Sequence, residues 1–283
     1  MLIEPRKLMA DAKARKYAVP AFNFYNLDTM LAALDVAEEE EAPIILEIYH
    51  VYYPFLREKV IFSAVQQAIR QANTYAYMHL DHAGDPQVLK AAIADGFQSV
   101  MVDGSALPIE ENIAFCRDLV AEARERGIYT ETEVGHVGRV GTEDCHESIA
   151  TVEDCRKMVE ETGCDSLAAA VGTAHGIYKT APKINFDRIM EIQEAVSVPL
   201  VLHGGSGTPD DDIRRAISCG IVKVNVGTEL KYAWSETMKK GLDSGEKEPR
   251  LLSEKAREAV REVVRQKIRL FGASGKLDGL IKE

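Results

Sequence analysis

Three histidines raise the question of chemistry: His82 in His79-Leu80-Asp81-His82, His175 in Gly172-Thr173-Ala174-His175-Gly176, and His203 in Leu202-His203-Gly204-Gly205-Ser206-Gly207. Each follows a short apolar run that reads as a strand. Neutral imidazole is a common zinc ligand, and three imidazoles with one open position suit a catalytic zinc ion. Asp81 directly precedes the first of them. A carboxylate there either shuttles a proton to and from a substrate hydroxyl or accepts a hydrogen bond that orients a ligand imidazole. The turns Gly204-Gly205-Ser206-Gly207 and Asn225-Val226-Gly227-Thr228 offer backbone amides at helix starts, the usual cradle for phosphate. Lys179 either adds a positive charge to that cradle or is an ordinary solvated lysine. A metal, a phosphate cradle and an acid–base carboxylate together imply work at the carbonyl of a phosphorylated sugar.

Such residues must be held by a frame, and the apolar pattern supplies one. Strands are expected at 18–24, 43–49, 76–80, 99–102, 128–133, 166–171, 199–202 and 222–226, roughly 25–35 residues apart, as strand-plus-helix units require. Between them lie amphipathic stretches at 28–41, 58–72, 87–94, 108–126, 151–162, 186–196 and 210–218, with one more helix at 249–270. Pro86 and Pro108 stand near helix starts, and Gly96, Gly127, Gly163 and Gly220 near helix ends. The expected fold is therefore α/β, a (β/α)8 TIM barrel with an additional C-terminal helix, forming one domain over 1–283. A doubly wound open sheet is disfavoured, because no G-x-G-x-x-G follows the first strand. In a barrel of this kind the site lies at the C-terminal strand ends, where Asn23, Asp81, His82, Asp103, Glu133, His175, His203 and Asn225 all stand. The stretch 134–150, with Gly135, Gly138 and Gly141, is the longest without a clear element. His79 shares a strand face with Asp81 by alternation, while His50, His136 and His146 receive no assignment.

Composition agrees with that frame and excludes other classes. The chain has 283 residues, 34 Lys+Arg against 45 Asp+Glu, and a net charge of −11, which argues against gripping long nucleic-acid backbones. No apolar run approaches the ~20 residues of a membrane-spanning helix, and the N-terminus lacks the apolar centre of a signal peptide. Five cysteines without a C-x-x-C pair point to free thiols in a reducing cytoplasm rather than to disulfides or a zinc ribbon.

The segments Val19-Pro20-Ala21-Phe22-Asn23, His79-Leu80-Asp81-His82, Gly172-Thr173-Ala174-His175-Gly176, Leu202-His203-Gly204-Gly205-Ser206-Gly207 and Lys223-Val224-Asn225-Val226-Gly227-Thr228-Glu229-Leu230 resemble the class II, zinc-dependent ketose-bisphosphate aldolases, from about residue 8 to 276. The resemblance implies one catalytic zinc on His82, His175 and His203, with Glu133 near the metal. It implies that Asp81 exchanges the proton of the substrate's C4 hydroxyl, and that Glu143, on the loop after strand five, moves the proton at C3. It further implies a dihydroxyacetone phosphate site drawn from Asn23, Asp103, Gly176, Lys179, Gly204, Gly205, Ser206, Asn225, Val226, Gly227 and Thr228. A monovalent cation near the strand-six and strand-seven loops, and a homodimer or homotetramer, are also family features. Two departures stand out. Arg139 stands where the family has a loop glycine, and the Glu-Asp pair that contains Glu143 is displaced by about two residues. After strand two, Tyr49-His50 and Tyr52-Tyr53 replace a small serine, suggesting a different aldehyde partner.

The reaction this implies is reversible cleavage of a ketose 1,6-bisphosphate such as fructose- or tagatose-bisphosphate to dihydroxyacetone phosphate and glyceraldehyde 3-phosphate or a related aldehyde. Other readings remain: an aldolase for another phosphorylated keto-sugar, of the inositol-catabolism type; a Schiff-base aldolase through Lys223, the one lysine in an expected strand; or a non-catalytic phosphosugar-binding subunit. A zinc hydrolase is weaker, since no His-x-His pair closes strand one.

Overall fold

The computed structural model describes residues 1–138, 149–176, 178 and 181–280. Eight parallel strands close into a barrel in chain order: β1 (Val19–Asn23), β2 (Ile44–Tyr49), β3 (Ala76–Ala83), β4 (Ser99–Val102), β5 (Tyr129–Val134), β6 (Ser166–Ala169), β7 (Leu200–Leu202) and β8 (Ile221–Val226), with β8 paired to β1. Each expected strand is present. The strands are buried almost throughout, because the interior is filled by side chains and the outer face by helices.

The helices are α1 (Pro5–Arg15), α2 (Leu27–Glu39), α3 (Tyr52–Phe55), α4 (Glu58–Gln71), α5 (Pro86–Asp95), α6 (Ile109–Glu125), α7 (Val152–Thr162), α8 (Phe186–Ala195), α9 (Asp210–Ser218), α10 (Thr228–Asp243) and α11 (Pro249–Leu270). Local chemistry explains several boundaries. Asn26 and Thr29 form a reciprocal capping box at the start of α2. Asp85 caps α5 ahead of Pro86, and Gly96 ends it in the left-handed conformation. Buried Leu252, Ala256, Val260, Val264 and Ile268 recur at helical spacing along α11 and form its inward stripe. That helix spans the whole expected 249–270. The pattern at 28–41 overshoots α2, because Glu41 turns into positive φ after the helix has ended. No element was expected for α1, α3 or α10.

At β3 the structure departs most usefully from expectation. The strand runs to Ala83, three residues past the expected end, through a register shift against β4 between Leu80 and Ala83. His82 lies inside that irregularity with φ 51°. In a regular strand, neighbours point to opposite faces, so Asp81 and His82 would face opposite ways. The left-handed turn at His82 breaks the alternation and brings both side chains to the same rim.

Candidate active site

The C-terminal end of the barrel opens into a cavity of about 770 Å³, with Asn23, Asp81, His82, Asp103, Glu133, His175, Gly176, Gly204, Ser206, Asn225, Gly227 and Thr228 among its walls. His82, His175 and His203 offer ring nitrogens within 4.8 Å of one another. Their rings stand edge to face, with centroids 4.5 Å apart for His82–His203, 4.9 Å for His82–His175 and 5.8 Å for His175–His203. Glu143 and Lys179 lie outside the described residues, as do Arg139 and His146.

Two of the three rings are held from behind by carboxylates. His82 Nδ1 is 2.7 Å from Asp103 Oδ2, which leaves its Nε2 buried with no hydrogen-bond partner among the described residues. His203 Nε2 is 2.9 Å from Glu131 Oε1, and its other ring nitrogen, Nδ1, is 3.4 Å from Asn225 Nδ2. A carboxylate that takes one imidazole proton fixes the tautomer and raises the basicity of the other nitrogen, as metal sites require. Glu133 accepts the Val137 N–H through Oε1 and keeps Oε2 buried without a hydrogen bond. Burial, and then the charge of Asp103, pushes the Glu133 carboxyl up to about 8. Burial alone would lower His82, but Asp81, Asp103 and Glu133 hold it well above the ordinary imidazole range. The donor set therefore fits a divalent cation: convergent imidazole nitrogens, one free carboxylate oxygen and a local excess of negative charge.

Asp81 takes no part in orienting the rings, since its Oδ1 is 3.8 Å from His82 Nε2. Two amides fix its carboxylate instead, Asn23 Nδ2 at 2.9 Å from Oδ2 and Asn225 Nδ2 at 3.3 Å from Oδ1. Burial would raise Asp81, but His82, His203 and Lys223 outweigh it and bring the carboxyl down to about 2, so it is ionised. Asp103, expected at the substrate, lines the same cavity, with Oδ2 on His82 and Oδ1 accepting the Ser105 N–H at 2.9 Å.

Below the histidines is a polar layer that the sequence reading missed. Lys223 Nζ, fully buried, lies 2.7 Å from Glu47 Oε1 and 2.9 Å from Glu131 Oε2. Burial opposes its charge, yet Glu131 and Glu47 hold the ammonium above its usual value. A Schiff-base lysine must offer a neutral amine, so this geometry removes the Lys223 rival. Burial pushes Glu47 up to about 8, and burial aided by Lys223 takes His79 down to about 3. Alternation along β5 and β8 could have placed Glu131 beside Glu133 and Lys223 beside Asn225 on the inner face. Nothing in one sequence says that β5 and β8 meet across the barrel.

The glycine turns lie beside the histidines. A Cβ on Gly204 would sit 2.5 Å from the Ala174 carbonyl oxygen, and one on Gly205 would meet Asn225 O at 2.7 Å, so no other residue fits without moving backbone. Helix α10 starts at Thr228 with no side-chain cap from Gly227, and of its first amides the Glu229 N–H donates to Ser206 Oγ at 3.3 Å. Next to the β8 turn, on the β1 and β2 side, the wall is aromatic, and the Tyr25 hydroxyl lies 2.9 Å from where a Cβ on Gly227 would stand. Tyr25, Tyr49, His50 and Tyr52 line the cavity, and Tyr25 packs edge-on against Tyr52 at 5.2 Å. Lys231 and Tyr232 of α10 complete the mouth.

Comparison with known proteins agrees with this arrangement. The sequence pattern of fructose-bisphosphate aldolase class-II matches residues 3–276. The YdjI aldolase from Escherichia coli K12 is 34% identical, with a TM-score of 0.89 over 98% of this chain and 100% of that one. A candidate fructose-1,6-biphosphate aldolase from Coccidioides immitis is 30% identical, with a TM-score of 0.91 over 97% of this chain and 98% of that one. A fructose-bisphosphate aldolase from Campylobacter jejuni shares the fold at a TM-score of 0.83 and 22% identity, over 97% of each chain. A match that runs almost from end to end settles the family: this chain belongs to the class II fructose-bisphosphate aldolases, which are metal-dependent carbon–carbon lyases.

Proposed function

We propose that the protein cleaves a phosphorylated ketose reversibly into dihydroxyacetone phosphate and an aldehyde, with zinc held by His82, His175 and His203 and Glu133 beside it. The observation that carries this is the division of labour among carboxylates: Asp103 and Glu131 orient the rings, leaving an ionised Asp81 beside them with no such duty. A zinc ion there supplies Lewis acidity to the ketose carbonyl and to the charge that develops next to it. The substrate phosphate rests in the turns Gly204-Gly205-Ser206 and Asn225-Val226-Gly227-Thr228, whose two segments are tied by the Gly205 N–H donating to Asn225 O at 3.2 Å, with Gly176 and Lys179 beside it. Asn23 and Asn225 aim Asp81 at the C4 hydroxyl. Asp81 takes that proton as the C3–C4 bond breaks, the electron pair stays with the dihydroxyacetone phosphate half, and the other half leaves as the aldehyde. Glu143 is assigned the return of a proton to C3.

For the aldehyde half, a ketose 1,6-bisphosphate such as fructose- or tagatose-bisphosphate is the family's substrate. The second reading is a different phosphorylated keto-sugar, favoured by the aromatic side chains of Tyr49, His50 and Tyr52 that line the cavity after β2, with Tyr25 beside them. A coupled assay for dihydroxyacetone phosphate release from a panel of ketose phosphates tests both. Activity is expected to vanish after chelation with EDTA and to return with zinc; full activity in metal-free protein would sink the proposal. The substrate with the highest kcat/KM decides between the two readings.

A further inference from the structure

The family resemblance implies a monovalent cation between the strand-six and strand-seven loops. To hold one, the loops must turn carbonyl oxygens toward a common point. Among the described residues, the oxygens that meet there are those of Ala174 and Gly204, brought together by the approach that excludes a side chain at Gly204. A side chain already fills the point. The Tyr178 hydroxyl is 2.7 Å from Ala174 O and 3.3 Å from Gly204 O, and it accepts the Ala174 N–H at 2.5 Å. We propose that the Tyr178 hydroxyl takes the place of a monovalent cation between these loops, so that the enzyme holds its phosphorylated substrate without one.

The chemistry is balanced. A phenol has one proton and accepting lone pairs, and here it receives one N–H and gives its proton to a carbonyl, Ala174 O at the shorter distance. The positive end of that O–H dipole faces Ala174 O, with Gly204 O beside it at 3.3 Å, so the hydroxyl occupies the position from which a cation would meet both oxygens. A hydroxyl oxygen and an ion cannot occupy one position, so these residues do not fit the ion while Tyr178 is seated. The tie joins the segment ending at His175 to the Gly204 turn, so it sets the phosphate cradle relative to the metal ligands. Because the phenol belongs to the chain, no ion has to be captured to make the link.

The inference rests on the proposed phosphate site, and the test separates the two. The zinc-loaded enzyme is assayed for dihydroxyacetone phosphate release in tetramethylammonium, potassium and sodium chloride at one ionic strength, and its melting temperature is measured in the same salts. The wild type is expected to show the same KM in all three, within about twofold, and no melting shift specific to potassium or sodium. Tyr178→Phe keeps the ring and vacates the oxygen position. In that variant, potassium or sodium is expected to lower KM about tenfold and to raise the melting temperature. A wild type whose KM or melting temperature responds to either ion overturns the inference, as does a variant indifferent to both. Should the variant fail to fold, the wild-type salt comparison alone decides. A wild type that releases no dihydroxyacetone phosphate in any salt removes the proposed reaction, and the melting comparison still judges the role of Tyr178.

Discussion

Asp81 is the residue on which the proposed chemistry turns, and its surroundings set what its loss should do. Since Asp103 and Glu131 hold the rings, Asp81→Ala should lower kcat by about 10²–10⁴-fold, the range for a positioned acid–base group, while zinc content measured by atomic absorption stays at the wild-type level. A parallel loss of zinc would show that Asp81 serves the metal instead. Glu47 makes a different prediction. Its carboxyl is raised to about 8 in the folded protein, above its ordinary value of 4.5, so the folded state keeps a proton that the unfolded state gives up. Stability from this group is complete below pH 4.5 and is lost as pH rises toward 8. His79, buried neutral, opposes that slope only below its ordinary value of 6.5. Metal-free protein should therefore lose stability from about pH 6.5 to 8, Glu133 acting in the same direction as Glu47, and Glu47→Gln should lessen that loss without abolishing it in urea unfolding curves. An unchanged slope would remove Glu47 as its source. The histidines, Asp81 and the glycine turns were legible in the sequence because their spacing is chemical. The aromatic wall was legible only on its β2 side, since Tyr25 joins it from β1 through packing that no local pattern records.

At the level of elements, α10 and α11 were the least expected to touch the site, yet they meet beneath its phosphate turn. Glu229, in the first turn of α10, accepts the Gly207 N–H through Oε1 at 2.6 Å, and its own N–H reaches Ser206 Oγ at 3.3 Å. Lys267 of α11, mostly buried, lies 2.9 Å from the same carboxylate. The lysine thus cancels a negative charge next to the turn assigned to the substrate phosphate. Lys267→Met should raise KM several-fold with kcat little changed, a loss of binding shared by ground and transition states; a fall in kcat alone would contradict it. The rest of α11 is fixed by a ladder of arginines onto α2. Arg257 pairs with Asp28, Arg261 with Asp35 and Glu39, Arg265 with Glu39 and Glu40, and Arg269 with Glu40. Helix α11 itself was legible from its apolar stripe. Its partner was not, because charges that face another helix and charges that face water read alike in one sequence. Helix α10 escaped notice because it begins within the turn read as a phosphate cradle.

Across the whole molecule, the alternation of strands and helices made the barrel readable, and among the described residues no helix is long and apolar enough to cross a membrane. Less readable was the ionic layer that ties β2, β5 and β8 together inside it. Removing the ammonium alone would strand Glu131 against the protonation it now avoids. Lys223→Met should therefore cost roughly 3–5 kcal/mol in denaturant unfolding, the range for breaking a buried ion pair, and adding Glu131→Gln should recover much of it. Equal stability of the single variant and the wild type would show that the pair carries no net weight. The same lysine also answers a neighbouring group of donors. Glu47, His79 and Asp81 form a second group, deeper in the barrel, whose donor atoms lie close enough to hold an ion. The Lys223 ammonium, 2.7 Å from Glu47 Oε1, already supplies that group with a positive charge held by the chain itself. A metal ion seated there would have to stand beside the ammonium or displace it, whereas the three histidines have no such built-in cation. The barrel thus carries its own tenant in the lower group and leaves the upper one, where His82 and His175 line the open cavity, for the metal.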